Sequence, residues 1–264
     1  MSEPLPDPRP KPRFSLPVSR ERLIELGVVV FGVMIALGLD NLVQEVRLRG
    51  DARELEKAFR ADIIEAVSNS WERQLVDPCQ RQTLASLTER ANSSEGGWEA
   101  APDVGGLSLT LPAPYRTPTR LWTTASFDRA LGTEAFKRIP LERADAYAVL
   151  FAQIATRREE NAAEFQALSS LAPLAFTQTG VDAEVRAGLL QSLSEIDRQR
   201  GLAVLVSEQL IAHAFSLPGG DDIRAEFLRN RSAFEAEADQ RGAIYGECID
   251  RGATERLMRL AAAS

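Results

Sequence analysis

Residues able to do chemistry are few in this chain. His213 is the only histidine. One imidazole cannot build a histidine-rich metal site, and a serine–histidine–aspartate reading has no independent support in the sequence. Beside Ala212 and Phe215 it reads as a helix-packed side chain. Carboxylates are plentiful, with Glu159, Glu160 and Glu164 in one group and Glu235, Glu237 and Asp239 in another. Di-iron bundles draw Glu-x-x-His pairs from facing helices, and no such pair occurs. Both groups read as solvated helix faces. Gly105-Gly106 and Gly219-Gly220 lack the strand-to-helix setting and the lysine of a phosphate loop. Asp221-Asp222 reads as a helix N-cap. The expectation is no catalytic residue, no metal and no cofactor.

Two other sets have a chemical meaning. Cys79 and Cys248 are the two cysteines. An even pair suits a disulfide in an oxidising compartment, where closing so long a loop stabilises by about 5 kcal/mol at most. Two unrelated core thiols fit the sequence equally well. Trp98, Tyr115 and Trp122 fall in or beside a long loop rich in glycine and proline. Aromatics on a loop mark a candidate binding surface, or else they plug the end of a helical core.

The elements that position these residues begin with Leu23–Val43, LIELGVVVFGVMIALGLDNLV. Its centre, from Leu26 through Val30, Phe31 and Ile35 to Leu39, holds no charge and no strong polar group. As a helix, Leu23–Val43 is about 31 Å long, enough for a hydrocarbon core of about 30 Å. Glu25, Asp40 and Asn41 lie near its ends, where headgroups are in reach. A buried core helix and a helix lying flat on a membrane both need a polar face, which is missing. A cleaved signal peptide ending at Ala36-Leu37-Gly38 is a further reading. The retained transmembrane anchor is preferred. Gly32 and Ala36 form a small-xxx-small pair, but Gly27 and Gly38 lie opposite and no single seam is chosen.

Residues 1–22, with prolines at 4, 6, 8, 10, 12 and 17, read as a disordered tail. Arg20 and Arg22 sit tight against the apolar run, whereas Arg47, Arg49 and Arg53 lie further out among acids. The positive-inside rule then puts the N-terminus in the cytoplasm and the C-terminal domain outside.

The segment ELGVVVFGVMIALGLDNLVQEVR, through Val29, Val30, Gly32, Val33, Ile35, Ala36, Leu37 and Asn41, resembles the start of a bacterial family of uncharacterised single-pass membrane proteins. In that family a charged helix and a helical domain follow. Leu42 stands where the family pattern has an aromatic. The resemblance implies a topology and no activity.

Beyond the anchor, Leu48, Ala52, Leu55, Phe59, Ile63, Val67 and Trp71 recur at helical steps, predicting a helix over 44–75 that Asp77-Pro78 ends. A second helix covers 79–92. A long loop follows over 93–120, with a short strand at 107–111. Further helices are predicted at 125–131, 134–139, 140–171, 182–215 and 223–249, with a short terminal one. The fold class is all-α: a transmembrane helix continuing into an antiparallel helical bundle over 44–264, interrupted by the long loop. A net charge of −7 argues against nucleic acid. The expected setting is a bacterial inner membrane, with the lipid bilayer as one partner and another envelope protein or a second copy as the other. A periplasmic sensor-like module for small ligands is the alternative, and a carboxylate enzyme comes third.

Overall fold

Nine helical segments account for most of the described residues. The computed structural model describes residues 20–93, 96–104 and 113–263. The strand expected at 107–111 and most of the proline-rich tail lie outside them. The elements are α1 (Arg20–Ser93), β1 (Gly97–Trp98), α2 (Ala125–Ala130), a 3-10 turn (Phe136–Arg138), α3 (Leu141–Ala167), a 3-10 stretch (Leu168–Ala175), β2 (Gln178–Thr179), α4 (Ala183–Phe215), α5 (Asp221–Arg229), α6 (Arg231–Tyr245) and α7 (Gly252–Ala263). The chain is all-α. The one strand pair among the described residues, β1 antiparallel to β2, is two residues long.

Two units divide the chain, 1–50 and 51–264. In the first, α1 exposes its apolar residues on every side, including Leu26, Val30, Phe31, Ile35 and Leu39. It is the one helix among the described residues long and apolar enough to cross a membrane. It starts at Arg20, three residues before the expected Leu23.

The second unit has two apolar clusters. The larger gathers Phe59, Ile63, Val67, Trp71 and Leu75 of α1 with Phe127, Tyr147, Phe151 and Ile154, the end of α4, and α5 and α7. Phe59 meets Phe127, Tyr147 and Phe151 edge-on at 5.2–5.6 Å between centroids, a favoured aromatic geometry. The smaller joins Leu84, Leu87 and Ala91 to Trp98, Tyr115, Leu171, Leu174, Leu189, Leu193 and Ile196. Along α1 and α3 the chain passes from the larger cluster to the smaller, and α4 passes back.

Several expected boundaries are corrected. Pro78 does not end the first helix: α1 continues through it to Ser93 and absorbs the predicted second helix. A proline's missing N–H is normally a helix breaker. Here tertiary contacts grip both sides of it. Asp77 pairs with Arg81 and with Arg200 of α4, the Leu75 carbonyl accepts the Asp250 N–H at 2.7 Å, and Cys79 is covalently tied. The helix predicted at 223–249 is broken at Asn230, whose side-chain amide donates to Glu226 at 2.6 Å. It ends at Gly246, whose φ of 101° suits glycine alone. Asp221-Asp222 is not the cap of α5. Gly220 holds that position, Asp221 pairs with Arg224 and Asp222 with Arg60. Asp182 does cap α4, accepting the Val185 N–H at 2.8 Å.

Candidate functional site

Residues 113–124 are not helical, although they pack like an element of the core. Pro114 and Pro118 keep the backbone extended and remove two N–H donors. Side chains of α1 satisfy three carbonyls of this strap. The Asn69 amide donates to the Leu121 carbonyl at 2.9 Å, Arg73 to Pro118 at 3.1 Å and Gln80 to Arg116 at 3.2 Å. Rising α1 numbers meet falling strap numbers, so the strap runs back along the helix. The lengths agree. Asn69 to Gln80 spans about 16 Å of helix, and Leu121 to Arg116 about 17 Å of extended chain. Asn69, Arg73 and Gln80 recur at four and seven residues, which keeps them on one face.

A buried ion pair locks the strap to α3. Arg73 and Glu164 meet at 2.6 Å with side chains 1% exposed. Glu164 also accepts the Thr117 hydroxyl at 2.8 Å, and Arg73 donates to Asn161 at 2.8 Å. Arg157, on the same stripe of α3, lies with its guanidinium 5.0 Å from the centre of the Trp122 ring and pairs with Glu160 at 2.6 Å. Burial, and then the neighbouring Arg73, push the Arg157 pKa below its ordinary value. Glu164 therefore departs from the expected solvated acid face. The sequence signal was the α3 stripe itself: Ile154, Arg157, Asn161 and Glu164 keep the core spacing while turning polar.

Next to this lies a groove of about 1150 Å³ between α1, the strap and the end of α6. Its charged wall is Glu72, Arg116, Arg120 and Arg241, with Asp103 at one side. Glu72 is buried, accepts from Arg120 and forms an ion pair with Arg241 at 2.8 Å. The Glu72 hydrogen bond raises the Arg120 pKa. Arg241 also pairs with Glu237. Phe165, Leu168 and Ile244 form an apolar side.

Cys79 and Cys248 form a disulfide, with Cα atoms 5.0 Å apart. It ties α1 to the turn after α6, and Cys79 itself lines the groove.

The three loop aromatics do not make a surface. Trp98, Tyr115 and Trp122 are buried, at 4%, 3% and 4% exposure. They also separate: Trp98 and Tyr115 enter the smaller cluster, Trp122 the larger. The candidate surface is thus corrected to core, because a flat ring gains more by leaving water than an exposed loop offers. Trp98 donates to the Pro173 carbonyl at 3.1 Å. Beside it Gly97 approaches β2 so closely that a Cβ would fall 2.1 Å from the Gln178 carbonyl oxygen. Tyr115 alone reaches the groove. Burial and the adjacent Glu164 hold its pKa well above the ordinary phenol range. His213 is exposed at the end of α4, not packed, with Nδ1 2.7 Å from the Gln153 amide of α3. Glu235, Glu237 and Asp239 each pair with an arginine.

Searches of protein-family models, curated proteins and solved structures find no match to this chain.

Proposed function

We propose that this chain is a single-pass protein of a bacterial inner membrane. Its N-terminus lies in the cytoplasm, and its helical bundle works outside as a non-enzymatic interaction module for another envelope protein or a second copy. One observation carries the reading: Leu26–Leu39 exposes apolar side chains all round, while the other unit of the chain holds a disulfide. An all-apolar helix surface is stable in lipid and not in water. A disulfide persists on the oxidising side of a membrane. The N-terminal resemblance points the same way. The charged groups that could suggest catalysis, Glu164, Glu237 and Arg157 among them, hold the fold together.

Reporter fusions at the C-terminus test the topology. Alkaline phosphatase fused there is expected to be active, and a fluorescent protein dark. A bright fluorescent fusion with inactive phosphatase refutes the orientation, and a full-length chain soluble without detergent refutes the anchor.

The groove favours a second reading, a module for small ligands. It has a prebuilt mixed polar and apolar lining, the usual character of such sites. A thermal-shift screen that finds a stabilising small molecule supports it.

A further inference from the structure

Most cations of the groove are neutralised within the protein. Arg120 and Arg241 share Glu72, and Glu237 serves Arg241 as well. Arg116 differs. Among the described residues it has no carboxylate partner. Its guanidinium donates one hydrogen bond, from Nη1 to the Ile244 carbonyl at 3.2 Å, and lies 5.7 Å from the centre of the Tyr245 ring. A guanidinium has five N–H donors, so its Nε and Nη2 sides remain available.

The group is also held in place from behind. Gln80, 2% exposed, donates to the Arg116 carbonyl at 3.2 Å. The next residue, Thr117, is fixed to Glu164. Ile244 and Tyr245 stand four and three residues before the disulfide at Cys248, which fixes that wall to α1. The Arg116 fork is thus positioned before any ligand arrives, which lowers the entropic cost of binding. Two further buried polar atoms on lining residues, the Tyr115 hydroxyl and the Gln80 side-chain oxygen, have no hydrogen-bond partner among the described residues.

We propose that this groove binds a small organic anion with an apolar body. Arg116 receives the carboxylate or phosphate through a paired N–H fork, the geometry in which arginine exceeds lysine. Phe165, Leu168 and Ile244 take the apolar part. Phe165 and Ile244 are 51% and 45% exposed, a cost that an apolar ligand body would remove. This inference rests on the small-ligand reading and is independent of the topology.

The test uses the full chain in nanodiscs of zwitterionic phosphatidylcholine, titrated calorimetrically with 4-phenylbutyrate, 4-phenylbutylphosphonate and neutral 4-phenylbutanol. Saturable binding of an anion, at least about tenfold tighter than the alcohol, is expected. Arg116→Gln should remove that preference, and Arg116→Lys should restore part of it. Which anion wins assigns the headgroup. Repeating the titration with phosphatidylglycerol in the bilayer identifies the source: loss of probe binding points to a lipid headgroup, and unchanged binding to a soluble anion. Equal affinity for alcohol and anions refutes the anionic class while leaving a ligand groove. No saturable binding by any probe refutes the proposal together with the reading beneath it. Unchanged anion preference in a folded Arg116→Gln protein shows that Arg116 is merely solvated.

Discussion

One helix, α1, meets two different surroundings along its length. Over Ile24–Val43 its apolar side chains are exposed on all faces; Phe31 is 67% exposed. From Ala52 onward its apolar residues form a stripe, and Phe59 is 0% exposed. One unbroken helix runs through both stretches. The difference lies only in how apolar residues are spread around the helix. Spread evenly, they suit a solvent that is apolar on every side; gathered on one face, they suit a protein core. Secondary structure therefore says little about the role of α1, and the angular distribution of its side chains says much.

Cutting the covalent tie in the second region should have the largest effect. A Cys79→Ser/Cys248→Ser protein is expected to lose about 5 kcal/mol of stability at most, from loop closure across a separation of 169 residues. Denaturant midpoints of oxidised wild type and the double mutant measure it. A loss below about 1 kcal/mol would mean that the unfolded chain is already restrained near these positions. The anchor stretch should be untouched, because neither cysteine lies in it.

Two phenylalanines make the comparison direct. Phe59→Ala removes a ring that contacts four other aromatic rings. The domain should lose about 3–5 kcal/mol. Phe31 has no such neighbours among the described residues, and Phe31→Ala should change domain stability by less than about 0.5 kcal/mol. Chemical denaturation of both proteins in nanodiscs reads the contrast. Equal losses would show that Phe31 also packs against protein.

Glu164→Ala should cost about 3–5 kcal/mol, since it leaves the Arg73 charge buried without its partner. The double change Arg73→Met/Glu164→Leu should recover most of that loss, because no charge then remains buried. A double mutant as unstable as the single one would assign the cost to strap packing through Thr117 and Pro118.

The strap also marks the limit of what the sequence made legible. Long amphipathic helices were readable because their apolar spacing repeats over many turns. The apolar run was readable from local residue types. Pro78 misled because its local preference was weaker than the grip of Arg200, Asp250 and the disulfide, all distant in sequence. The start of the 3-10 stretch Leu168–Ala175, as far as Leu171, was read as more helix because the apolar spacing continues into it. The strap was read as loop because it has no periodicity of its own: its order comes from Asn69, Arg73 and Gln80 on another element. Those side chains look like ordinary polar positions of a surface helix until the strap is laid on them. The groove was hidden for the same reason. Arg116 and Arg241 are far apart in the chain, and nothing in their local sequence separates them from other arginines.

The smallest expected effect concerns the tyrosines, all three of which lie in the second region and none in the anchor stretch. Burial raises each pKa, aided by Glu56 at Tyr147, Glu72 at Tyr245 and Glu164 at Tyr115. Tyr147 and Tyr245 are pushed up to about 12, against about 10 for a free phenol. A raised folded-state pKa means that the fold favours the neutral phenol. The stability this contributes is complete below pH 10 and is lost as the pH climbs through 12. At pH 11 an unfolded chain would have about nine-tenths of its phenols ionised, and the folded chain few. Tyrosinate absorbance in an alkaline titration should stay low until close to pH 12, or rise in one step with unfolding. Tyr245→Phe should flatten the loss of stability between pH 10 and 12 without changing stability at neutral pH by more than about 1 kcal/mol. A phenol that titrates near 10 in the folded protein would open one of the two clusters to water. The contrast with the anchor stretch would then be one of degree, with solvent reaching both parts of α1.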